Sequence, residues 1–251
     1  MSKRVKLAIK GILFIVIGVI TAYEFFTNNS LVEVFDDATT DISKNTVEKS
    51  KTKSYSIDNI PEYSGKSYTI INDNVPKFSD DDYKSNSYED YSELDDLGRC
   101  GVASANIDKS MMPTEKRGSI GMIKPSGWHT VKYDNVDGKY LYNRCHLIGY
   151  QLTGENANEK NLITCTRYMN TVGMLDFENE VASYVKKTNN HVLYRVSPIF
   201  DGDNLLATGV QIEASSVEDK CGEVCFNVFV YNVQEGIHID YSNGDSYLED
   251  E

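Results

Sequence analysis

The sequence is short of positive charge. It has 25 lysines and arginines against 38 aspartates and glutamates, a formal net charge of −13. This balance excludes a uniformly basic surface of the kind that attracts polyanions. An internal repeat is also lacking, so 251 residues leave room for one sizeable domain with extensions.

The acidic residues are unevenly distributed along the chain. Residues 27–98 contain 7 basic and 16 acidic side chains, and residues 201–251 contain 1 and 12. Residues 99–200 contain 13 basic and 9 acidic side chains. The middle of the chain is therefore compatible with a local basic groove despite the overall charge.

The first 26 residues predict a targeting segment. Four basic residues within the first ten precede an uncharged run at 11–23 that is mostly Ile, Val, Leu and Phe. With its apolar flanks the run reaches about the twenty residues that span a bilayer, and the basic flank predicts an N-terminus inside and the bulk outside. We expect an uncleaved anchor because no good small-x-small cleavage site follows, and a cleaved signal peptide is the alternative. In both cases the rest of the chain is exported.

The remaining residues predict a tether and a folded α+β domain. Residues 27–60 are polar and low in aromatics, which is typical of a tether, and residues 61–251 form the predicted domain. Residues 78–97 are acidic and predict a solvated surface segment with a brief helical turn at 92–94. Strand-like runs lie at 66–71, 99–108, 139–143, 161–165, 191–199, 205–214, 224–231 and 237–241, with an amphipathic helix at 171–187.

Export affects the interpretation of the five cysteines. An oxidising compartment favours disulfides over metal ligation. Cys221 and Cys225 could close a small loop, and Cys145 could pair with Cys165, but the sequence does not fix the pairing. A zinc site made of Cys221, Cys225 and His238 lacks an obvious fourth ligand.

The stretch from Tyr142 to Tyr150 carries the candidate chemistry. Arg144 and His146 are two residues apart, so on a strand both side chains point to the same face. A cation that can hold a phosphate beside an imidazole that can accept a proton suits phosphodiester chemistry. Downstream, Asn161 and Asn170 offer neutral oxygen ligands for a hard cation such as Mg²⁺.

The run Asn143-Arg144-Cys145-His146 resembles the Asp-Arg-Gly-His motif of the DNA/RNA non-specific endonucleases with a ββα-metal site. The resemblance is to the branch of bacterial DNA-entry nucleases and secreted streptococcal DNases. Further similar segments follow in order at 161–163, 168–170, 177–178, 194–196, 211–213 and 226–241. The resemblance implies a ββα-metal fold, with a central antiparallel sheet and a metal-bearing helix.

The resemblance also implies roles for individual residues. His146 would be the general base that activates water, and Arg144 would contact phosphate. Asn170 would be the sole direct protein ligand of Mg²⁺, for which Mn²⁺ can substitute. Asn161 would position His146 or the phosphate.

Glu178 would orient water on the metal, with one geometric restriction. Eight residues of unbroken helix would separate Glu178 from Asn170 by about 12 Å along the axis. A direct role therefore requires a bend, for which Gly173 is the candidate position. A surface position on the helix is the alternative for Glu178.

Two residues depart from the family motif. Asn143 replaces its aspartate and removes a charge, and Cys145 replaces its glycine. A disulfide between Cys145 and Cys165 would rationalise the second change. Among the other candidates, we expect His129, His191 and His238 to be surface or structural residues, and Arg167 and Arg195 to contact phosphate or to form ion pairs.

These observations predict an exported, membrane-tethered and Mg²⁺-dependent endonuclease acting on DNA, with RNA as a second candidate substrate. We expect little sequence preference because phosphate contacts position a protein without reading bases. The alternatives are a cell-surface nucleic-acid receptor with lost or incidental cleavage, and an envelope structural protein. No protein partner can be inferred.

Overall fold

The computed structural model describes residues 60–249. The predicted anchor or signal peptide at 1–26, and all but the last residue of the predicted tether at 27–60, lie outside the described residues. Between residues 60 and 249, no helix combines the length and the apolarity needed to cross a membrane.

The described residues form a mixed α/β domain. Its strands are β1 (Tyr68–Ile70), β2 (Tyr88–Tyr91), β3 (Ala103–Ile107), β4 (Tyr142–His146), β5 (Leu162–Thr166), β6 (Val192–Ile199), β7 (Gly209–Ser216), β8 (Cys225–Tyr231), β9 (Ile237–Ile239) and β10 (Ser246–Leu248). Its helices are α1 (Tyr150–Thr153) and α2 (Leu175–Thr188), with a π-helical segment at Met169–Met174 directly before α2 and 3-10 turns at Asn72–Asn74, Asp82–Lys84 and Glu159–Asn161.

A six-stranded antiparallel sheet forms the centre, in the order β1-β8-β7-β6-β3-β2. Two smaller antiparallel ladders accompany it, β4 with β5 and β9 with β10. The predicted central antiparallel sheet is therefore confirmed.

The two faces of the central sheet differ in polarity. One face presents apolar side chains from β6, β7 and β8 to the main core, among them Val196, Ile212 and Val228. Residues on the other face form a buried polar network, in which Arg195 pairs with Glu213 at 2.7 Å and donates to the carbonyl of Lys77. Alternation along each strand produces this division.

Helix α2 covers the apolar face of the sheet. Val181, Ala182, Tyr184 and Val185 are buried on one side of it, as the spacing of three and four residues predicts. The helix ends at Asn189, whose φ of 58° provides a left-handed cap.

Two disulfides form within the described residues. Cys145 on β4 is bonded to Cys165 on β5, and Cys221 is bonded to Cys225 at the start of β8. Cys100 is buried and unpaired. Because Cys221 and Cys225 are bonded to each other, they are not available as ligands for the alternative zinc site.

Three details of the predicted elements are wrong. The acidic segment 78–97 contains an edge strand, β2, because its backbone pairs with β3 while Tyr91 packs against the core. The helical turn expected at 92–94 is irregular backbone, and Ser92 pairs with Val102 instead. Strand β10 was not predicted, and a turn that contains Asn243 and Gly244 joins it to β9.

The two disulfides should differ in their effect on stability. Replacing both Cys145 and Cys165 with alanine should lower the free energy of unfolding by about 3 kcal/mol, because the bond closes a loop with a sequence separation of 20. Replacing Cys221 and Cys225, whose separation is 4, should cost about 2 kcal/mol. Urea unfolding without reductant measures both, and a larger loss from the shorter loop would contradict the assignment.

Candidate active site

His146 is the last residue of β4 and is buried, with 6% of its surface exposed. Its Nε2 lies 2.8 Å from the carbonyl oxygen of Asn156. Because a carbonyl only accepts hydrogen bonds, the ring proton is on Nε2 and Nδ1 keeps its lone pair. Nδ1 has no hydrogen-bond partner among residues 60–249, so this nitrogen can accept a proton.

The surroundings of His146 favour its neutral form. Burial lowers its pKa from the ordinary value to about 4, and the positive charge of Arg117 acts in the same direction. The hydrogen bond to Asn156 opposes this shift. The imidazole is therefore unprotonated at neutral pH.

Asn161 fixes the backbone that follows His146. Its side chain is fully buried, accepts from the amide of Ile148 at 2.8 Å and donates to the carbonyl of Ile148 at 3.0 Å. Its own carbonyl accepts from Leu147. Asn161 thus holds the chain two residues beyond His146 and lies behind the site rather than in its opening.

Asn170 and Glu178 line the same hollow as His146. Eight residues of regular α-helix would rotate Glu178 by about 80° away from the face of Asn170. The π-helical segment is wider and turns less per residue, so it brings the two residues closer to one face. The helical run continues through Gly173 without a break, so the segment changes the facing of Glu178 rather than its separation from Asn170 along the axis.

Gly173 has a different role, which follows from close packing. A Cβ at this position would lie 2.4 Å from a methyl group of Val230 on β8. Only glycine therefore lets the π-helical segment approach the central sheet this closely.

Glu178 is a partly buried carboxyl group facing the hollow. Burial raises its pKa to about 7, while Gln151 and Arg117 oppose the shift. Its carboxylate lies so close to Gly149 that a Cβ there would meet Oε2 at 2.4 Å. Gly149, three residues after the end of β4, leaves room for this carboxylate, which would have to move for a larger residue at this position.

Arg144 is held by neutral partners. Its guanidinium donates to the carbonyls of Ile123 and Gly121 and lies over the ring of Trp128, 3.8 Å from the centroid. Several of its five N–H groups remain for a ligand. Arg144 therefore anchors the 114–128 loop while bordering the same hollow as His146.

Arg117 is a site residue that the sequence reasoning missed. Its guanidinium has no hydrogen bond or ion pair with any residue in the described range, yet it acts electrostatically on both His146 and Glu178. It lies in a loop without periodicity, where the only sequence signal is the basic pair Lys116 and Arg117.

The site consists of two adjoining hollows. One, of about 290 Å³, is lined by His146, Glu178 and Gln151 among others. The second, of about 430 Å³, is lined by aromatic and basic side chains. Both include Arg117, Arg144 and Asn170, so the predicted cation, base and metal ligand do converge.

The other candidates lie elsewhere or are paired. His129 contacts the carbonyl of Asn243, His191 contacts Glu218 and His238 stacks on Tyr247. Arg195 is committed to its buried pair with Glu213. Arg167 is paired with Asp137 and borders the second hollow.

The chain is similar to known nucleases. A family model described as DNA/RNA non-specific endonuclease matches residues 79–218. NucA from Streptococcus agalactiae with magnesium ion bound has a TM-score of 0.68 at 25% sequence identity, over 77% of this chain and 94% of that chain. Sda1 nuclease with bound zinc ion has a TM-score of 0.57 at 28% identity, over 73% of this chain and 97% of that chain.

The family match covers more than half of the 251 residues and contains β3, β4, β5 and α2. It includes every residue of the two hollows that carries a charge. The chain belongs to the DNA/RNA non-specific endonuclease family and is an endonuclease that hydrolyses nucleic acids.

Proposed function

We propose that the chain is an exported endonuclease that uses Mg²⁺ and the general base His146 to hydrolyse DNA, with RNA as a second substrate. One observation carries this proposal: the unprotonated Nδ1 of His146 lies in a hollow that also presents Asn170 and Arg117. A base, an oxygen ligand and a cation are the groups that phosphodiester hydrolysis requires.

The residues of the hollow fit Mg²⁺. The side-chain amide of Asn170 has no hydrogen-bond partner among the described residues, and Glu178 adds a carboxylate to the same wall. No group of three or more His, Cys, Asp or Glu residues that could hold a metal occurs between residues 60 and 249. Few protein ligands, all oxygen, suit Mg²⁺, which keeps several waters and takes substrate phosphate oxygens.

His146 would perform the proton transfer. Its Nδ1 accepts a proton from the attacking water as the oxygen approaches phosphorus. The depressed pKa makes imidazole a weaker base, but the negative phosphate nearby favours the imidazolium once it forms. Bound Mg²⁺ would stabilise charge on the phosphate and on the leaving oxygen.

Arg117 and Glu178 would complete the polar wall of the hollow. Arg117 keeps all its donors available and can hold a non-bridging phosphate oxygen. Glu178, with its pKa raised to about 7 by burial, would ionise beside a cation and orient water there. Asn161 would act by positioning the backbone after His146.

Two features support the remaining parts of the proposal. The disulfides at Cys145–Cys165 and Cys221–Cys225 are typical of exported proteins. The side chains around the candidate centre can bind phosphate, which carries no sequence information. We therefore propose cleavage with little sequence preference.

Replacing His146 with alanine should lower the rate of plasmid degradation in Mg²⁺ about 10²- to 10⁴-fold, because the base is lost. His129→Ala is the matched control, since His129 is exposed and lies outside both hollows. Equal degradation by His146→Ala and wild type would refute the mechanism. If the wild type binds DNA equally well in Mg²⁺ and in EDTA and cleaves it in neither, the alternative of a cell-surface nucleic-acid receptor would be favoured.

Replacing Asn170 with alanine should abolish measurable Mg²⁺ binding in calorimetry and raise the Mg²⁺ concentration needed for half-maximal cleavage at least tenfold. Asn170→Asp, which keeps an oxygen ligand, should bind Mg²⁺. Asn135→Ala, in an exposed turn, is the control for loss of an asparagine. Unchanged Mg²⁺ binding in Asn170→Ala would exclude this residue as the ligand.

The pH dependence should reflect the depressed pKa of His146. In Glu178→Gln, which removes the second titrating group, kcat/KM should stay level from neutral pH down to about pH 5 and fall only towards the pKa of about 4. The value of kcat/KM falls as the pH decreases because His146 acts as a base only in its unprotonated form. A fall centred near pH 6.5, the ordinary histidine value, would show that His146 is not buried as described.

A further inference from the structure

The second hollow differs in character from the one around His146. Trp128, Tyr140 and Tyr142 line it together with Arg117, Arg144 and Arg167. Tyr142 is buried in the core beneath the hollow, so Trp128 and Tyr140 are the rings that remain for a ligand. The mixture of rings and guanidinium groups is typical of surfaces that bind unstacked nucleobases.

The backbone aligns this hollow with the catalytic one. Tyr140 forms a bridge with Lys132, and a bend at Leu141 separates this bridge from β4. Within β4, Arg144 and His146 are two residues apart and point to the same face. At about 3.3 Å per residue, Arg144 lies about 7 Å from His146 along the strand.

A cation lies over each of two aromatic rings, Trp128 and Tyr140. Arg144 is fixed over Trp128 by its hydrogen bonds to backbone carbonyls, and the nitrogen of Lys132 lies 4.4 Å from the ring centroid of Tyr140. Tyr140 is 47% exposed even though Lys132 covers one face of its ring. A base stacked there would sit beside cations that attract the connecting phosphates.

We propose that the hollow lined by Trp128 and Tyr140 is a subsite for an unstacked nucleobase of the substrate strand, next to the scissile phosphate. This inference rests on the proposed function and extends it from phosphate binding to substrate class. A duplex must unstack a base to use the subsite, whereas a single strand does so at little cost. The enzyme therefore favours single-stranded and locally opened nucleic acid, without base identity, since every base has a stacking face.

The chain supplies its own reporter for this subsite, because Trp128 is the single tryptophan of the whole sequence. In full-length His146→Ala, which binds without cleaving, a single-stranded thymidine octamer should change the tryptophan fluorescence. Adding Tyr140→Ala should raise the Kd about 5- to 150-fold, the equivalent of one base stack. Tyr140→Phe, which keeps the ring, should bind like the parent.

Two controls separate stacking from charge. An octamer with abasic sugars carries the same phosphates and should bind more weakly by a similar factor, with no fluorescence change. Tyr247→Ala removes an exposed tyrosine that stacks on His238 outside the hollow and should leave the Kd unchanged.

Several results would overturn the subsite. Binding is followed by the anisotropy of a labelled strand, and the subsite is excluded if the octamer does not bind or binds without any change in tryptophan fluorescence. It is also excluded if Tyr140→Ala and its parent have equal Kd values, or if the abasic octamer binds as tightly as the thymidine octamer. Cleavage by wild type in Mg²⁺ is measured separately. If wild type fails to cleave, the proposed function fails while the binding data still decide the subsite.

Discussion

The site depends on the pairing of β4 with β5, a two-stranded ladder that no other described strand extends. Such a ladder is only marginally stable alone. Three attachments compensate: the Cys145–Cys165 disulfide, the amide of Asn161 on the backbone of Ile148, and the amide of Asn232, which pairs with Thr166 and Thr164 on the open edge of β5. The first two fix backbone within two residues of His146, and the third fixes β5 opposite Arg144 and Tyr142, so catalytic geometry and hairpin stability are coupled.

A second constraint acts on the helix that faces this hairpin. Regular α-helical winding would turn Glu178 away from Asn170, and the π-helical segment corrects this at the helix start. Such a segment has poorer hydrogen bonding than an α-helix, so tertiary packing must maintain it. Gly173 against Val230 on β8 provides that packing. The sheet therefore determines the orientation of the helix residues in the hollow.

The parts of the site with a periodic pattern were predictable from the sequence. Alternation placed Arg144 and His146 on one face of β4, and spacing by three and four residues identified the buried side of α2. Arg117 could not be found in this way, because it lies in a loop whose path is set by distant carbonyl contacts to Arg144. The edge strand β2 was missed for a related reason: it is set mainly by backbone pairing with β3, which side-chain composition does not record, and Tyr91 is its one contact with the main core among the described residues.

The replacement of the motif aspartate by Asn143 has an electrostatic consequence. Asn143 lines the aromatic hollow, so an aspartate there would add a negative charge to its wall. With asparagine, the partners of Arg144 between residues 60 and 249 are two backbone carbonyls and the face of Trp128, all of them neutral. The second hollow is consequently lined by three arginines and by no acidic residue, in a chain of net charge −13. A strongly acidic protein can thus attract a polyanion locally, because the groups nearest the reacting centre decide the field that the substrate meets there.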